Sequence, residues 1–178
     1  HAVRGKRDHT AFALIALIAE GHLLIEDVPG VGKTTLARAI SDTIAGTWNR
    51  VQCTPDLSSD DITGRVVPDH AGGRCFRPGP VFANVVIGDE LNRGAPGAMA
   101  ALLEVMEERR VTVDGATHHV PWPFFVVATQ HPTDVDGSTH PLPLAQRDRF
   151  LVTLSLGYPD AATELAIATS QQVGARTD

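Results

Sequence analysis

The sequence is poor in cysteine and in aromatic residues. Its two cysteines, Cys53 and Cys75, stand far apart in 178 residues and have no zinc-site spacing. A disulfide-stapled scaffold is therefore excluded, and we expect two reduced thiols in a cytosolic protein. Aromatic side chains make up 5% of the chain, and we expect Trp48 and Trp122 to be packing residues rather than platforms for bases.

The sequence also lacks an excess of positive charge and a long hydrophobic run. Its formal net charge is −6, which disfavours a basic face across the chain and predicts no nucleic-acid partner. The apolar run from Ala11 to Ala19 follows three basic residues and imitates a secretion signal. It is too short to span a bilayer and leads into the next apolar segment without a cleavage signal, so we expect a buried helix and no membrane partner.

What the sequence does contain is an alternation of apolar strands and amphipathic helices, in a length typical of one domain. The central strands are apolar throughout, which favours a parallel sheet covered on both faces and hence an α/β fold. Residues 54–80 are expected to form loops, with a short hairpin as an option, and Asp114-Gly115 predicts a hairpin turn. The expected strands are 23–26, 48–53, 85–87, 124–128 and 150–156, and the expected helices are 8–20, 34–46, 96–109 and one after 159–160.

A glycine-rich loop follows the first strand, in the stretch DVPGVGKTT. Glycines let the backbone approach a phosphate closely, a helix N-terminus favours negative charge, lysine adds a point charge, and threonine can ligate Mg²⁺. Asp27 stands where the phosphate-loop consensus has its first glycine, at the strand end, where glycine serves the turn. An ordinary strand–turn–helix with chance glycines is the alternative. The residues predicted to bind nucleotide are Pro29, Gly30, Val31, Gly32, Lys33, Thr34 and Thr35.

Two carboxylates end the buried strand of the stretch NVVIGDE. Asp89 can hold Mg²⁺ directly or through water, together with Thr34, and Glu90 can orient or deprotonate an attacking water. The alternative is a solvated strand end. A hydrolase needs both roles, so the phosphate loop and the carboxylate pair together point to nucleotide hydrolysis.

Several stretches carry a family resemblance. GHLLIEDVPGVGKTTLARAI, VQCTPDLSSDDITG, FRPGPVFANVVIGDELNRGAP, ALLEVMEERRVTVDG, FFVVATQ, PLPLAQRDRF and LSLGYPD resemble the ATPase core of MoxR-type AAA+ proteins over about residues 20–160. The resemblance implies a three-layer α/β/α P-loop fold of AAA+ type, with a five-stranded parallel sheet in the order 5-1-4-3-2.

The resemblance also implies a function and a set of site residues. ATP and Mg²⁺ would be the cofactors, with Asp89 in the metal-binding motif, Glu90 as catalytic base and Lys33 at the phosphates. Arg149 matches the arginine finger, which would act in the neighbouring subunit of a ring, usually a homo-hexamer. Arg147 is the alternative finger. A surface ion pair with Asp148 is the alternative role for Arg149. The partners implied are a client protein or a von Willebrand factor A-type protein.

Departures from the family pattern concern three positions besides Asp27. His131 stands where a sensor asparagine orients water, and it is either a catalytic substitute or an ordinary loop residue. Leu144 replaces a common glutamate, and Lys6 replaces a common glutamine that touches the adenine region, which bears on base recognition. His118 and His119 lack further ligands at metal spacing, so we expect exposed hairpin residues. We expect residues 1–178 to be a single ATPase core, with the helical lid absent or only begun at 160–178.

Two functions are compatible with these residues. One is an ATP-hydrolysing, chaperone-like motor that remodels or activates partner complexes. The other is a nucleotide-binding regulatory switch with little hydrolysis. A GTPase or small-molecule kinase fits less well, because the chain has no N-K-x-D guanine motif and no evident phosphate-acceptor site.

Overall fold

A computed structural model of the protein describes residues 7–26, 33–70, 72–130, 142–155 and 157. No helix among them is long and apolar enough to cross a membrane. The helices are α1 Arg7–Ile18, α2 Lys33–Thr43, α3 Ser59–Thr63, α4 Pro96–Glu108 and α5 Leu144–Arg147, with a 3₁₀ turn at Leu91–Arg93. The strands are β1 Leu23–Glu26, β2 Trp48–Gln52, β3 Gly64–Pro68, β4 Arg74–Pro78, β5 Val85–Asp89, β6 Arg110–Val113, β7 Ala116–His119, β8 Phe125–Gln130 and β9 Val152–Leu154.

The main sheet has five strands in the order β2-β5-β8-β1-β9. All four neighbouring pairs are parallel, which confirms the expected α/β class. The other four strands form two separate hairpins, β3-β4 and β6-β7. When only the strands of the main sheet are counted along the chain, the order read from the β9 edge is 5-1-4-3-2.

The sheet is covered on both faces by apolar side chains. Every residue of β5 and of β8 is buried, as the uninterrupted apolar runs predict. Alternate residues of β5 point to opposite faces: Val85 and Ile87 pack with α1 and α2, whereas Val86 packs with α4. The layers are therefore helix, sheet and helix.

The region 54–80 is more regular than the sequence indicates. It contains α3, whose Ser58 and Asp61 form a reciprocal capping box, and the full hairpin β3-β4. The expected strand at 150–156 is shorter, because β9 covers Val152–Leu154 only and pairs with β1 alone. The helix expected after 159–160 lies outside the described residues.

The second hairpin, β6-β7, confirms the turn predicted at Asp114-Gly115; both residues have positive φ, 48° and 78°. Its His118 is not simply exposed: the ring stacks on Phe76 of the other hairpin, with centroids 3.9 Å apart. Arg74 and Asp114 also join the two hairpins, at 2.8 Å.

The expectation for the tryptophans is half right. Trp48 is partly buried and packs against the core cluster of α1 and α2. Trp122 is 80% exposed, so the prediction that it is a packing residue is wrong. Its neighbours on both sides are prolines, and β8 begins shortly after them at Phe125.

Candidate nucleotide-binding site

Polar side chains meet where the parallel strands end. Glu26 at the end of β1 lies beside Gln130 at the end of β8, and Gln52 at the end of β2 lies beside Asp89 at the end of β5. In an open parallel sheet, ligands bind outside the carboxyl ends of the strands. We therefore expect a ligand site at this edge of the sheet.

The first turn of α2 lies at the same edge. Only residues 27–32 separate the end of β1 from Lys33, the first residue of α2. Leu36 and Ile40 are buried against Val85 and Ile87 and hold the helix on the sheet. Thr34 is half-buried and Thr35 is exposed. The predicted phosphate-loop residues 29–32, Asp27 and the Lys33 side chain lie outside the described part of the chain.

Asp89 is held from two sides. Its carboxylate accepts a hydrogen bond from Arg50 Nε at 2.6 Å through Oδ2, and one from the Thr129 hydroxyl at 3.1 Å through Oδ1. The residue is 7% exposed. A buried carboxylate needs such partners, because its desolvation is otherwise costly. The predicted metal-binding residue is thus fixed in place at the sheet edge.

Glu90 projects from a strained backbone position. Its φ and ψ are 56° and 49°, a left-handed conformation that costs a residue with a side chain roughly 1–2 kcal/mol. The Thr129 hydroxyl accepts the Glu90 N–H at 3.0 Å. Gln52 Nε2 and Arg93 Nη1 donate to Glu90 Oε2, at 3.1 and 2.9 Å. Thr129 therefore binds both members of the carboxylate pair, a role that its sequence context does not indicate.

A second polar cluster adjoins the phosphate-loop segment. Glu26, directly before Asp27, accepts a hydrogen bond from Gln130 Nε2 at 2.5 Å and is 2.8 Å from Arg147 Nη2. Gln130 Oε1 is buried and has no hydrogen-bond partner among the described residues. Buried acceptors without a partner are rare in folded proteins. In the sequence, Gln130 is marked only as the last residue of the stretch FFVVATQ.

The two candidate arginine fingers have different surroundings. Arg147 is engaged at this sheet edge through Glu26. Arg149 instead lies in a groove against α4, where Nη2 is 3.3 Å from Glu107 and Nη1 donates to the Ala145 carbonyl. The groove holds about 570 Å³. The ion pair of Arg149 is thus with Glu107 and not with Asp148.

The carboxylate pair also affects a neighbouring thiol. Burial, and then the negative charges of Asp89 and Glu90, raise the pKa of Cys53 to about 12. The Cys53 N–H donates to the Asp89 carbonyl at 2.8 Å. This cysteine is therefore a protonated packing residue behind the site.

The donor set suits Mg²⁺. A carboxylate and a hydroxyl, Asp89 and Thr34, are the hard oxygen ligands that this ion takes alongside phosphate oxygens and waters. The fit is limited by Arg50, which already occupies one oxygen of Asp89. The predicted sensor residue His131 lies outside the described residues.

This arrangement is that of the nucleotide-binding ATPases. They have a parallel sheet in an α/β fold, with a helix N-terminus and a carboxylate pair at the carboxyl ends of the strands. Comparison with known proteins makes this specific. The family model of the "ATPase family associated with various cellular activities (AAA)" matches residues 22–152. The chain belongs to this family, and within it to the MoxR type.

Two relatives and one solved structure show how far the similarity extends. YeaC of Bacillus subtilis is 48% identical over 169 residues, covering 94% of this chain and 52% of YeaC. The chaperone MoxR1 of Mycobacterium tuberculosis is 44% identical over 155 residues, covering 86% of this chain and 41% of MoxR1. The crystal structure of a proposed ATPase from Cytophaga hutchinsonii has a TM-score of 0.82 at 38% identity, covering 94% of this chain and 50% of that one. The chain spans about half the length of these proteins.

Proposed function

We propose that this chain is the nucleotide-hydrolysing part of a MoxR-type, chaperone-like motor, which binds ATP and cleaves its β–γ phosphoanhydride bond in the cytoplasm. The observation that carries the proposal is the placement of Asp89 and Glu90 at the carboxyl end of β5, where Thr129 binds both residues of the pair. Membership of the AAA family supports ATP as the nucleotide.

In this proposal each residue has a separate task. Residues 29–35 surround the phosphates, those after Pro29 with backbone N–H groups, and Lys33 balances charge at the β and γ phosphates. Thr34 and Asp89 hold Mg²⁺, which when bound neutralises charge on the phosphate oxygens. Glu90 orients a water and takes its proton while the water oxygen bonds to the γ-phosphorus, and ADP leaves with the bridging oxygen.

Arg149 is the proposed arginine finger, completing the site of the next subunit in a ring, usually a hexamer. Both arginines are bound within their own subunit, Arg147 to Glu26 and Arg149 to Glu107, so the choice of Arg149 rests on its match to the family motif. The groove leaves the Arg149 side chain 39% exposed. A client protein or a von Willebrand factor A-type protein is the proposed partner. His131 is the proposed sensor residue.

A second function, a nucleotide-binding switch with little hydrolysis, is favoured by one observation. Arg50 already occupies the carboxylate that a hydrolase gives to its metal. The two functions differ in the turnover that depends on Glu90.

The test is ATP turnover by the unmutated chain and by Glu90→Gln. Removal of a general base costs about 10²–10⁴-fold in rate, so we expect turnover to fall at least 10²-fold while ATP binding persists. Glu20→Gln is the matched control, because this exposed residue lies beyond α1 and away from the site. Equal turnover in the unmutated chain and in Glu90→Gln would exclude the hydrolase and leave the switch.

A further inference from the structure

One guanidinium group connects both carboxylates of the proposed site. Arg50 lies in β2, the strand beside β5. Its Nε donates to Asp89 Oδ2 at 2.6 Å, and its Nη2 donates to Gln52 Oε1 at 3.1 Å. Gln52 Nε2 in turn donates to Glu90 Oε2 at 3.1 Å. Arg50 therefore touches the predicted metal-binding carboxylate directly and the predicted catalytic base through one amide.

The ion pair of Arg50 differs from an ordinary surface pair. The Asp89 side chain is 11% exposed and the Arg50 side chain 52% exposed. In the pair between the hairpins, Arg74 and Asp114 are 71% and 54% exposed. Coulomb attraction is weakly screened when one partner is buried. Arg50 consequently supplies the counter-charge that a buried carboxylate requires, and its exposed half leaves it free to swing out toward solvent.

Competition with a metal ion follows from this geometry. With Thr129 on Oδ1 and Arg50 on Oδ2, both oxygens of Asp89 have donors. A divalent cation that approached the same carboxylate would meet the guanidinium charge, and like charges a few ångströms apart repel strongly in a partly buried site.

We propose that Arg50 is a positioning residue that serves as the resident counter-cation of Asp89 and competes with Mg²⁺ for it. Mg²⁺ binding displaces Arg50, and loss of the Arg50–Gln52 bond frees the Gln52 amide, which holds Glu90 Oε2 together with Arg93. The site thereby links metal occupancy at Asp89 to the position of Glu90. The identity of the ligand that brings Mg²⁺ rests on the proposed function, but the competition at Asp89 does not.

The test compares Arg50→Gln with the unmutated chain, first without nucleotide. Without divalent ions we expect Arg50→Gln to unfold about 4 °C lower, because Asp89 loses its counter-charge. Millimolar Mg²⁺ should restore the unfolding temperature of this variant and leave that of the unmutated chain unchanged. Mn²⁺ titration, followed by electron paramagnetic resonance of the free ion, should show tighter binding to Arg50→Gln.

The second arm uses ADP. We expect the Mg²⁺ concentration for half-maximal stimulation of ADP binding to fall about tenfold in Arg50→Gln, the size of change that one charge-assisted hydrogen bond produces. ADP binding in EDTA is measured for each variant, so that a general loss of affinity is seen separately. Arg50→Lys keeps the charge but cannot bond Asp89 and Gln52 together, so we expect its Mg²⁺ dependence to lie between those of Arg50→Gln and the unmutated chain.

Arg74→Gln is the matched control, since it removes an arginine–aspartate pair away from the site. If Arg50→Gln does not fold, Arg50→Met keeps the length of the side chain and takes its place. Equal Mg²⁺ and Mn²⁺ dependence in the Arg50 variant and the unmutated chain would overturn the inference. If the unmutated chain binds no nucleotide, the proposed function fails, and the nucleotide-free arm still decides the role of Arg50.

Discussion

His22 is a buried base whose protonation should destabilise the fold. It directly precedes β1 and is 3% exposed. Its Nδ1 accepts the Val126 N–H at 3.0 Å, and its Nε2 lies 3.1 Å from the Met106 carbonyl. The ring thus joins β8 to the last turn of α4 in its neutral form. Burial first, and then the nearby Arg109 guanidinium, lower the pKa of His22 from 6.5 to about 4.

The sign and size of the effect follow from this shift. Below pH 6.5 the unfolded chain binds a proton at His22 that the folded chain does not bind until about pH 4, so stability falls with pH across this window. One pKa unit corresponds to 1.36 kcal/mol, which makes the loss from His22 about 2 kcal/mol at pH 5 and about 3 kcal/mol at pH 4. The contribution is fully present above pH 7.

The assay is urea unfolding at pH 7.5 and pH 5.0. His22→Gln removes the titrating group, so we expect its loss of stability between these pH values to be about 2 kcal/mol smaller than that of the unmutated chain. His119→Gln, on the exposed face of a hairpin, controls for removal of a histidine. Equal pH dependence in the unmutated chain and His22→Gln would refute the reasoning.

Two further predictions concern other parts of the fold. Iodoacetamide at pH 8 should modify the exposed Cys75 and spare Cys53, whose thiol is buried with a pKa of about 12; mass spectrometry of the folded chain measures this, and equal labelling of both would contradict it. Gly64→Ala should destabilise by about 2 kcal/mol or more, because φ is +92° and a Cβ would lie 2.4 Å from the Arg77 carbonyl oxygen. Gly97→Ala, in α4 with nothing within 4 Å of a Cβ, should instead stabilise by about 0.5–1 kcal/mol. Urea unfolding compares the two, and a similar loss in both would show that the steric argument is wrong.

The elements that sequence reasoning predicts best have a strong local signal. Uninterrupted apolar runs indicate β5 and β8, because a strand buried on both faces has no polar side to show. Asp114-Gly115 indicates the β6-β7 turn, because its conformation needs positive φ at both residues. The carboxylate pair was predicted correctly to lie at the end of β5, since strand and motif are adjacent in the sequence.

What could not be predicted depends on neighbours that are distant in the chain. Arg50 meets Asp89 only because β2 pairs with β5 in one register, and the sequence does not show that register. His22 likewise joins β8 to α4 through Val126 and Met106, which are distant from it in the sequence. The helix α3 is too short for a periodic pattern; its signal was the capping box of Ser58 and Asp61.

The central claim is that the chain binds ATP through the loop before α2. Calorimetric titration of ATP and ADP, with Mg²⁺, into the unmutated chain and into Lys33→Ala tests it most directly. We predict saturable binding to the unmutated chain and its loss in Lys33→Ala, because the lysine charge at the phosphates is removed. Equal binding to both proteins, or none to the unmutated chain, would contradict it.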